Sequence, residues 1–265
     1  MSVKIASWNV NSIKARLSHL LTWLPEAAPD IVLLQETKVV DEMFPLLEIR
    51  SLGYNVATAG QRGYNGVAIL SKFPIELSRK ALPDEEGLDT HARYIEAFTG
   101  GLQVASIYLP NGNPIATDKF SYKLSWMDRL YLHVQDLLEA QCAFVLAGDY
   151  NVAFDDRDVY DPEAFSDDAI WHPASRAALR KIIYLGVTDA VRALHVEGGL
   201  YTYWDYQRGA FHADHGIRID HLLLSPQAAD RLQDAGIDRA TRFWDKPSDH
   251  TPVWCTLTSD VNCPM

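Results

Sequence analysis

The sequence predicts an α/β fold in which two packed β-sheets lie between outer helices. Short apolar runs, rich in β-branched and aromatic residues, recur along the 265 residues and are typical of strands. Few segments instead show the three- and four-residue spacing of an amphipathic helix. Many strands with few helices favour two packed sheets, and the length suits one large domain. We therefore expect one domain over residues 1–258 and a frayed tail over 259–265.

In the first half of the chain, turn-forming residues separate the predicted elements. The first strand is expected over residues 3–8. A helix over 13–24 follows, because its apolar residues recur at helical spacing and two prolines bound its end. Further strands are predicted over residues 31–36, 54–59, 66–71, 93–99 and 102–109, the last two as a hairpin around a Gly-Gly pair.

In the second half, the clearest helix is expected over residues 120–138, where apolar residues alternate steps of four and three. A wholly apolar strand follows, and then an acidic loop that continues to about residue 173. The predicted elements are that strand over 144–147, a helix over 175–185, strands over 201–206 and 217–224, a short helix over 226–234 and a strand over 252–258.

Composition places few limits on the partner. The net charge is −11, which at first argues against a polyanion, but residues 155–168 carry −6 of it and residues 84–89 carry −4. The rest of the chain is nearly neutral, so nucleic acid is neither supported nor excluded. No apolar run approaches the roughly 20 residues of a membrane span. Three cysteines without zinc-like spacing, and no signal-peptide pattern, predict a reducing cytoplasm.

Polar residues stand where the predicted strands end. Asp149 and Asn151, two residues apart, project to the same side where the central strand over 144–147 leaves the core. A rigid sheet that holds polar groups at its edge is a suitable place for chemistry. The same layout recurs along the chain at Asn9, Glu36, Tyr108, Asp220 and Asp249-His250.

These residue types favour a hard metal ion acting on phosphate. The standard phosphate-binding and hydrolase signatures are absent, and carboxylates and carboxamides are ligands that suit Mg²⁺. Asn9, Glu36 and Asp249 are the first choice of ligands. Prolines on both sides aim the adjacent Asp249 and His250.

The same residues suggest roles in catalysis. His250 is placed to donate to a developing phosphoryl charge, with Asp220 as the partner that holds its tautomer. Asp149 is the candidate that activates or orients water, Asn151 holds the pentacoordinate phosphorus, and Tyr108 donates to a non-bridging oxygen.

Each assignment has a structural alternative. A strand-end Asp or Asn is commonly a turn or cap residue, and Asn11 before Ser12 is especially open to that interpretation. Glu36 with Lys38 is also compatible with a solvated ion pair, and Tyr108 with a half-buried core residue.

Eight short motifs in a fixed order resemble one known family. The chain, from Lys4 to about Leu257, resembles the exonuclease III family of the endonuclease/exonuclease/phosphatase superfamily. The motifs are Trp8-Asn9-Val10-Asn11, Leu34-Gln35-Glu36-Thr37-Lys38, Gly63-Tyr64-Asn65-Gly66-Val67, Tyr108-Leu109-Pro110-Asn111-Gly112, Gly148-Asp149-Tyr150-Asn151, Trp204-Asp205-Tyr206, Gly216-Ile217-Arg218-Ile219-Asp220 and Ser248-Asp249-His250.

The resemblance implies a four-layer α/β sandwich and Mg²⁺- or Mn²⁺-dependent hydrolysis of DNA phosphodiesters. Family members cleave 5′ to abasic sites, remove nucleotides 3′→5′ from duplex ends and clear 3′-phosphates. By motif position, Asn9, Glu36 and Asp249 match ligands of the main metal. The residues that either hold a second metal or act directly on water and phosphate are Asp149, Asn151 and His250.

The resemblance also implies the remaining site residues. Asp220 matches the partner of the catalytic His, and Tyr108 the Tyr that contacts phosphate. Tyr108, where phosphatase-like relatives usually carry His, favours the DNA-repair branch. Tyr203, Trp204, Ile217 and Ile219 are expected to line a pocket for an extruded abasic sugar. The positions expected to contact DNA or lie beside the metal are Asn11, Lys38, Asn111 and Arg218, with Arg62 and Arg93 as further phosphate contacts.

His172 raises a question of specificity. If its ring projects into the abasic pocket, it would obstruct an extruded nucleotide and favour 3′-end trimming over internal incision. The rival functions are a small-molecule or lipid-headgroup phosphatase with the same metal centre and a catalytically silent DNA-binding homologue. The expected partner is damaged or recessed double-stranded DNA, bound by a monomer.

Overall fold

The computed structural model describes residues 2–84, 87 and 89–259. Its strands are β1 (Ser2–Asn9), β2 (Ile31–Gln35), β3 (Asn55–Ala59), β4 (Val67–Ser71), β5 (Glu76–Arg79), β6 (Tyr94–Thr99), β7 (Leu102–Tyr108), β8 (Phe144–Asp149), β9 (Thr188–Asp189), β10 (Asp220–Leu224), β11 (Leu232–Ile237) and β12 (Val253–Thr258). Its α-helices are α1 (Leu17–Ala27), α2 (Leu46–Arg50), α3 (Asp118–Glu139), α4 (Pro173–Ile183), α5 (Ala190–Leu194) and α6 (Pro226–Ala229).

The strands form two six-stranded mixed sheets. The first has the order β11-β12-β1-β2-β4-β3 and the second the order β5-β6-β7-β8-β10-β9. Pairing is parallel between β1 and β2 and between β7 and β8, and antiparallel between the other neighbours.

Three hydrophobic clusters stack these elements into layers. The central cluster joins residues of both sheets, such as Ile5 and Leu33 of the first and Val104 and Val145 of the second. A second cluster packs α3 and α4 on the outer face of the second sheet, and a third packs α1 and α2 on the outer face of the first. This confirms the predicted four-layer α/β sandwich. The prediction of one domain over residues 1–258 stays a prediction.

Several predicted elements differ from the structure. Residues 201–206 form no strand, because only Tyr203 makes isolated bridges, with Ile217 and His250. The helix expected over 226–234 ends at Ala229, and Leu232–Ile237 is the edge strand β11. The exposed edge strand β5 and the short elements α2, α5 and β9 lacked a clear apolar pattern. Apart from Ser259, the tail predicted to fray lies outside the described residues.

Among the described residues, no helix is both long and apolar enough to cross a membrane.

Candidate active site

The strand-end residues predicted from the sequence meet at one edge of the two sheets. Parallel pairing brings the carboxyl ends of β1 and β2 together, and likewise those of β7 and β8. The antiparallel strand β10 begins at this edge, so Asp220 lies opposite Asp149, which in turn lies opposite Tyr108. Because β12 runs antiparallel to β1, the segment before it returns Asp249 and His250 to the same edge.

Four non-glycine residues of this edge have left-handed backbone conformations. Asn11, Glu36, Lys38 and Asn151 have φ values of 43°, 51°, 57° and 49°. Such conformations cost free energy and cluster at functional sites, where the surrounding structure holds them. The Asp149 carboxylate accepts the Asn151 N–H at 2.9 Å, which holds one of these turns.

Gly148 allows Asp149 to approach β7 closely. A Cβ at Gly148 would lie 1.9 Å from the carbonyl oxygen of Ile107 on the neighbouring strand. A side chain there would push β8 away from β7, so glycine immediately before Asp149 keeps the edge compact.

Asn9 bridges two carboxylates that come from different sheets. Its Nδ2 donates to Glu36 Oε1 and to Asp149 Oδ2, both at 2.9 Å, and its Oδ1 accepts the Asn11 N–H at 3.0 Å. In this orientation Asn9 fixes the positions of the carboxylates. Its predicted role as a metal ligand requires the carboxamide to turn its oxygen inward, and it stays a prediction.

His250 lies between two aspartates. Its Nδ1 is 2.8 Å from Asp220 Oδ2, and its Nε2 is 3.6 Å from Asp149 Oδ2. Burial lowers the pKa of His250, but the carboxylates of Asp220 and Asp149 outweigh it and raise the pKa to about 10. The imidazole is therefore protonated at neutral pH, with Nδ1–H donating to Asp220.

The acids of the site have unequal proton affinities. Burial, assisted by the Asp220 and Glu36 carboxylates, raises the pKa of Asp149 to about 7 against the opposing effect of His250. Burial also raises the pKa of Glu36, but Lys38 and Asn9 outweigh it and the net pKa is lowered. Burial and the carboxylates of Glu36 and Asp149 raise the pKa of Tyr108 far above its usual range, so its phenol stays a hydrogen-bond donor.

The donor set fits a hard divalent cation. Ligand atoms of Glu36, Asp149 and His250 lie within 4.8 Å of one another. Asn11 links Asp249 to this group, since its Nδ2 donates to Asp249 Oδ1 at 3.0 Å. Lys38 bonds both Glu36, at 2.9 Å, and Asn11 Oδ1. Carboxylate and carboxamide oxygens that converge with excess negative charge are typical of Mg²⁺ or Mn²⁺ sites.

A cavity of about 480 Å³ opens beside these groups. Tyr203 and Ile217 line it, as predicted, and Asn111 connects it to the site by donating to Asn151 Oδ1 at 3.2 Å. The lining also includes a stacked pair of rings, Tyr160 and His215, whose centroids are 4.4 Å apart. A mixed aromatic and polar lining of this size suits an extruded sugar or nucleotide.

The structure corrects two predicted members of this pocket. Trp204 is fully buried, packs against Phe211 and donates its Nε1–H to Asp214. Ile219 is also buried and lies in a cluster beneath the cavity floor formed by Ile217. Neither side chain lines the cavity.

Arg218 does not contact DNA, which contradicts its predicted role. Its side chain has no exposed surface, and it donates to Asp158 at 2.8 and 3.1 Å and to Asp189 at 2.7 Å. A guanidinium that is buried and satisfied by two carboxylates cannot reach a phosphate outside, so its role is structural.

His172 lies away from the cavity. It is the N-cap residue of α4, where its Nδ1 accepts the Ala174 N–H at 3.2 Å, and its ring contacts Phe120 with a centroid distance of 4.7 Å. The cavity lining does not include it. The expectation that His172 obstructs an extruded nucleotide is therefore not supported.

Sequence reasoning missed the residues that support the site from behind. Ser248 Oγ donates to the Asn9 carbonyl at 2.7 Å, and Arg242 donates to the Ser248 carbonyl. Tyr206 accepts from Arg16 at 2.8 Å at the rim of the site. Lys123 is buried in α3, and its position three residues after Phe120, within the apolar spacing, was a usable signal.

The chain belongs to the endonuclease/exonuclease/phosphatase family, whose family model matches residues 6–250. This confirms the superfamily predicted from the eight motifs. Glu36, Asp149 and the Asp220–His250 pair all lie within the matched range.

Individual relatives point to the exonuclease III branch. The chain is 32% identical to exodeoxyribonuclease III from Haemophilus influenzae, covering 95% of this chain and 98% of that protein. It is similar to a solved AP endonuclease from Archaeoglobus fulgidus with a TM-score of 0.92 and 38% identity, covering 98% and 100% of the two chains. It is equally similar to the 3′ phosphatase NExo from Neisseria bound to product DNA hairpin, with a TM-score of 0.93, 36% identity and coverage of 97% and 99%. The predicted exonuclease III resemblance is confirmed.

Proposed function

We propose that this chain is a DNA-repair phosphodiesterase of the exonuclease III type. It removes nucleotides 3′→5′ from duplex ends, clears 3′-phosphates and cleaves 5′ to abasic sites. The observation that carries this proposal is the convergence of Glu36, Asp149 and the Asp220–His250 pair at one sheet edge beside a nucleotide-sized cavity. The relatives named above act in the same class of reaction.

The reaction requires a divalent cation, Mg²⁺, with Mn²⁺ able to substitute. The ligands that we assign to it are Glu36 and Asp249; Asn9 donates to Glu36, and Asn11 donates to Asp249. Bound there, the cation supplies positive charge that offsets the charge developing on the phosphate oxygens.

The chain's own residues perform the remaining steps. Asp149 orients a water molecule and accepts its proton as the water oxygen bonds to phosphorus. The bond from phosphorus to the 3′-oxygen breaks, and that oxygen takes a proton from solvent and leaves as a 3′-hydroxyl. Protonated His250 donates Nε2–H to a non-bridging oxygen while Asp220 holds its Nδ1. The further donors to the phosphate are the Tyr108 phenol and the Asn151 carboxamide.

The partner is duplex DNA that is damaged or has a recessed 3′ end. Lys38 at the edge and Asn111 at the cavity mouth are the DNA-facing groups of the predicted set. The protein acts on this DNA as a monomer in our proposal. Cys142 and Cys255 are both free in the described part of the chain, which supports a reducing compartment such as the cytoplasm.

Three labelled duplexes test the proposal. They contain an internal abasic site, a plain recessed end or a 3′-phosphate, and each is incubated with Mg²⁺ or with EDTA. We expect Mg²⁺-dependent cleavage of all three, and we expect His250→Ala to abolish every reaction while the protein stays folded. Asp230→Asn, which changes an exposed carboxylate just after α6, is the control and should retain activity.

The comparisons do not favour the alternative of a small-molecule or lipid-headgroup phosphatase. The same enzyme preparation distinguishes the two functions directly. Phosphate release from an inositol phosphate, without release from the 3′-phosphorylated duplex, would reverse our choice. Duplex binding without Mg²⁺-dependent cleavage would instead identify a silent DNA-binding homologue.

A further inference from the structure

Lys123 of α3 has no exposed surface although it carries an amine. Its Nζ donates to the carbonyl oxygen of Asn151 at 2.6 Å and to that of Asn111 at 3.0 Å. Lysine is almost never fully buried unless such partners satisfy it. Burial lowers the pKa of Lys123 to about 7, and both contacts persist in either protonation state because the neutral amine still has two N–H groups.

The two carbonyl groups belong to the two loops that carry the carboxamides of the site. One loop follows β7 and contains Asn111, and the other follows β8 and contains Asn151. Asn111 Nδ2 donates to Asn151 Oδ1 at 3.2 Å, and Asn151 Nδ2 donates to the Leu109 carbonyl at 2.9 Å. Lys123 therefore binds the backbones of two loops, and the carboxamide side chains of the same two loops hydrogen-bond each other.

The lysine stem is packed as tightly as its head group. A Cβ at Gly112 would lie 2.6 Å from Lys123 Cδ, so the first loop rests directly on the stem. In the next two turns after Lys123, α3 buries Trp126, Met127 and Leu130 in the core against the second sheet. The amine is thus fixed to a rigid element, and the left-handed turn at Asn151 is fixed to the amine.

We propose that Lys123 is a positioning residue that sets the orientation of the Asn111 and Asn151 carboxamides toward the scissile phosphate. This inference rests on the proposed function. Misplacing catalytic groups by about 1 Å is able to cost on the order of 100-fold in rate, even when the altered residue never touches the substrate. A residue that only supported the core would change stability without this selective loss.

The test compares Lys123→Met with Leu130→Ala. Methionine keeps the length and bulk of the stem but removes both donors, whereas Leu130 is an equally buried residue of the same helix. Exonuclease rates are measured well below both melting temperatures. We expect kcat to fall about 100-fold in Lys123→Met with KM changed less than about threefold, and we expect Leu130→Ala to keep its kcat within about threefold.

A second measurement reports on the carboxamides themselves. In ¹⁵N-asparagine-labelled protein, the side-chain signals of Asn111 and Asn151, assigned with Asn111→Asp and Asn151→Asp, should shift in Lys123→Met and stay in place in Leu130→Ala. Unchanged kcat and unchanged signals in Lys123→Met would overturn the inference. Lys123→Gln, which keeps one donor group on a shorter stem, gives the same two readouts if the methionine variant does not fold.

The two proposals fail in different ways. If the wild-type protein cleaves none of the DNA substrates while the carboxamide signals still depend on Lys123, the proposed function fails and the positioning role stands. If the wild-type protein cleaves DNA and Lys123→Met does so equally well, only the positioning role is lost.

Discussion

Two buried charged clusters meet at the start of β10, and they differ in how their charges are balanced. The catalytic cluster consists of Glu36, Asp149, Asp220 and His250. The arginine cluster consists of Arg218 with Asp158, Asp189, Arg192 and His221. Only one residue separates Arg218 from Asp220 in the sequence, yet the two residues belong to different clusters.

In the arginine cluster each buried carboxylate meets a guanidinium. Asp158 pairs with Arg218 at 2.8 Å and with Arg192, and Asp189 pairs with Arg218 at 2.7 Å. Burial raises the pKa of both aspartates, but the adjacent Arg218 outweighs it and holds each pKa below its usual range. These charges are compensated within the protein, so the cluster is structural.

In the catalytic cluster the carboxylates of Glu36, Asp149 and Asp220 face only the imidazolium of His250 and the amine of Lys38. The pKa of Asp149 is consequently raised, to about 7, whereas the aspartates of the arginine cluster are shifted the opposite way. Among the described residues, Asp220 Oδ1 is buried without a hydrogen-bond partner. The comparison teaches that burial of acids does not by itself define an active site. The functional cluster is the one whose negative charge is left for a cation and a substrate to balance.

The largest expected effect is on activity, from Asp149→Asn. The isosteric amide cannot accept the water proton, so we expect all three DNA reactions to slow by about 10²–10⁴-fold. Because an uncompensated buried carboxylate is removed, we expect the melting temperature in EDTA to be unchanged or higher. Rates and thermal unfolding check both halves of the prediction. A variant that lost stability and activity together would place Asp149 with the structural acids.

Next in size is the loss of stability from Arg218→Met. Removal of the guanidinium leaves Asp158 and Asp189 buried without their main partner, so we expect the free energy of unfolding to fall by about 3–5 kcal/mol. Urea denaturation measures the change. Lys80→Met, which breaks an exposed pair with Asp41, is the control and should cost less than about 1 kcal/mol. Equal losses in the two variants would contradict the contrast between the clusters.

A smaller effect is the response of thermal stability to Mg²⁺. A cation that binds only the native catalytic cluster stabilises it by mass action, by about 2.7 kcal/mol at a hundredfold excess over Kd, which corresponds to several degrees in Tm. Calorimetry with and without MgCl₂ measures this shift. We expect Glu36→Gln to lose most of it and Asp230→Asn to retain it. A full shift in Glu36→Gln would remove Glu36 from the ligand set.

The smallest effect is on acid stability. Asp158 and Asp189 have lowered pKa values in the native state, so their stabilising contribution is present above the unfolded value of about 4 and is lost as the pH falls below it. We expect Asp189→Asn to lose less stability than the wild-type protein between about pH 4 and pH 2. Urea midpoints across this range test the sign. A parallel loss in both proteins would show that Asp189 does not contribute.

Much of the fold was predictable because the central strands are buried on both faces. β2, β4 and β8 contain continuous apolar runs of four residues, and β1, β2 and β8 end at or just before a polar residue that the structure places at the site. The edge strands β5 and β11 were missed because their side chains are largely exposed, so pairing with a neighbour defines them rather than periodicity.

The candidate site was predictable in the same way and to the same extent. Asn9, Glu36, Tyr108, Asp149, Asp220 and His250 follow apolar runs or short motifs, and the topology brings all of them together. The errors lie where the pattern could not show what covers a residue: Arg218, Trp204 and Ile219 sit in a site motif but are buried. Lys123 was missed although it stands within the apolar spacing of α3, because that spacing does not show that the carbonyl groups of Asn111 and Asn151 satisfy its amine.

The sequence by itself determined which residues are polar at strand ends, the order of the motifs and hence the family. Only the tertiary structure decided which charges are compensated. Asp158 lies 60 residues before Arg218, and Lys123 lies 28 residues before the Asn151 carbonyl that it binds. Local patterns reflect polarity and periodicity over a few residues, whereas the energy of a buried charge depends on partners brought from distant parts of the chain.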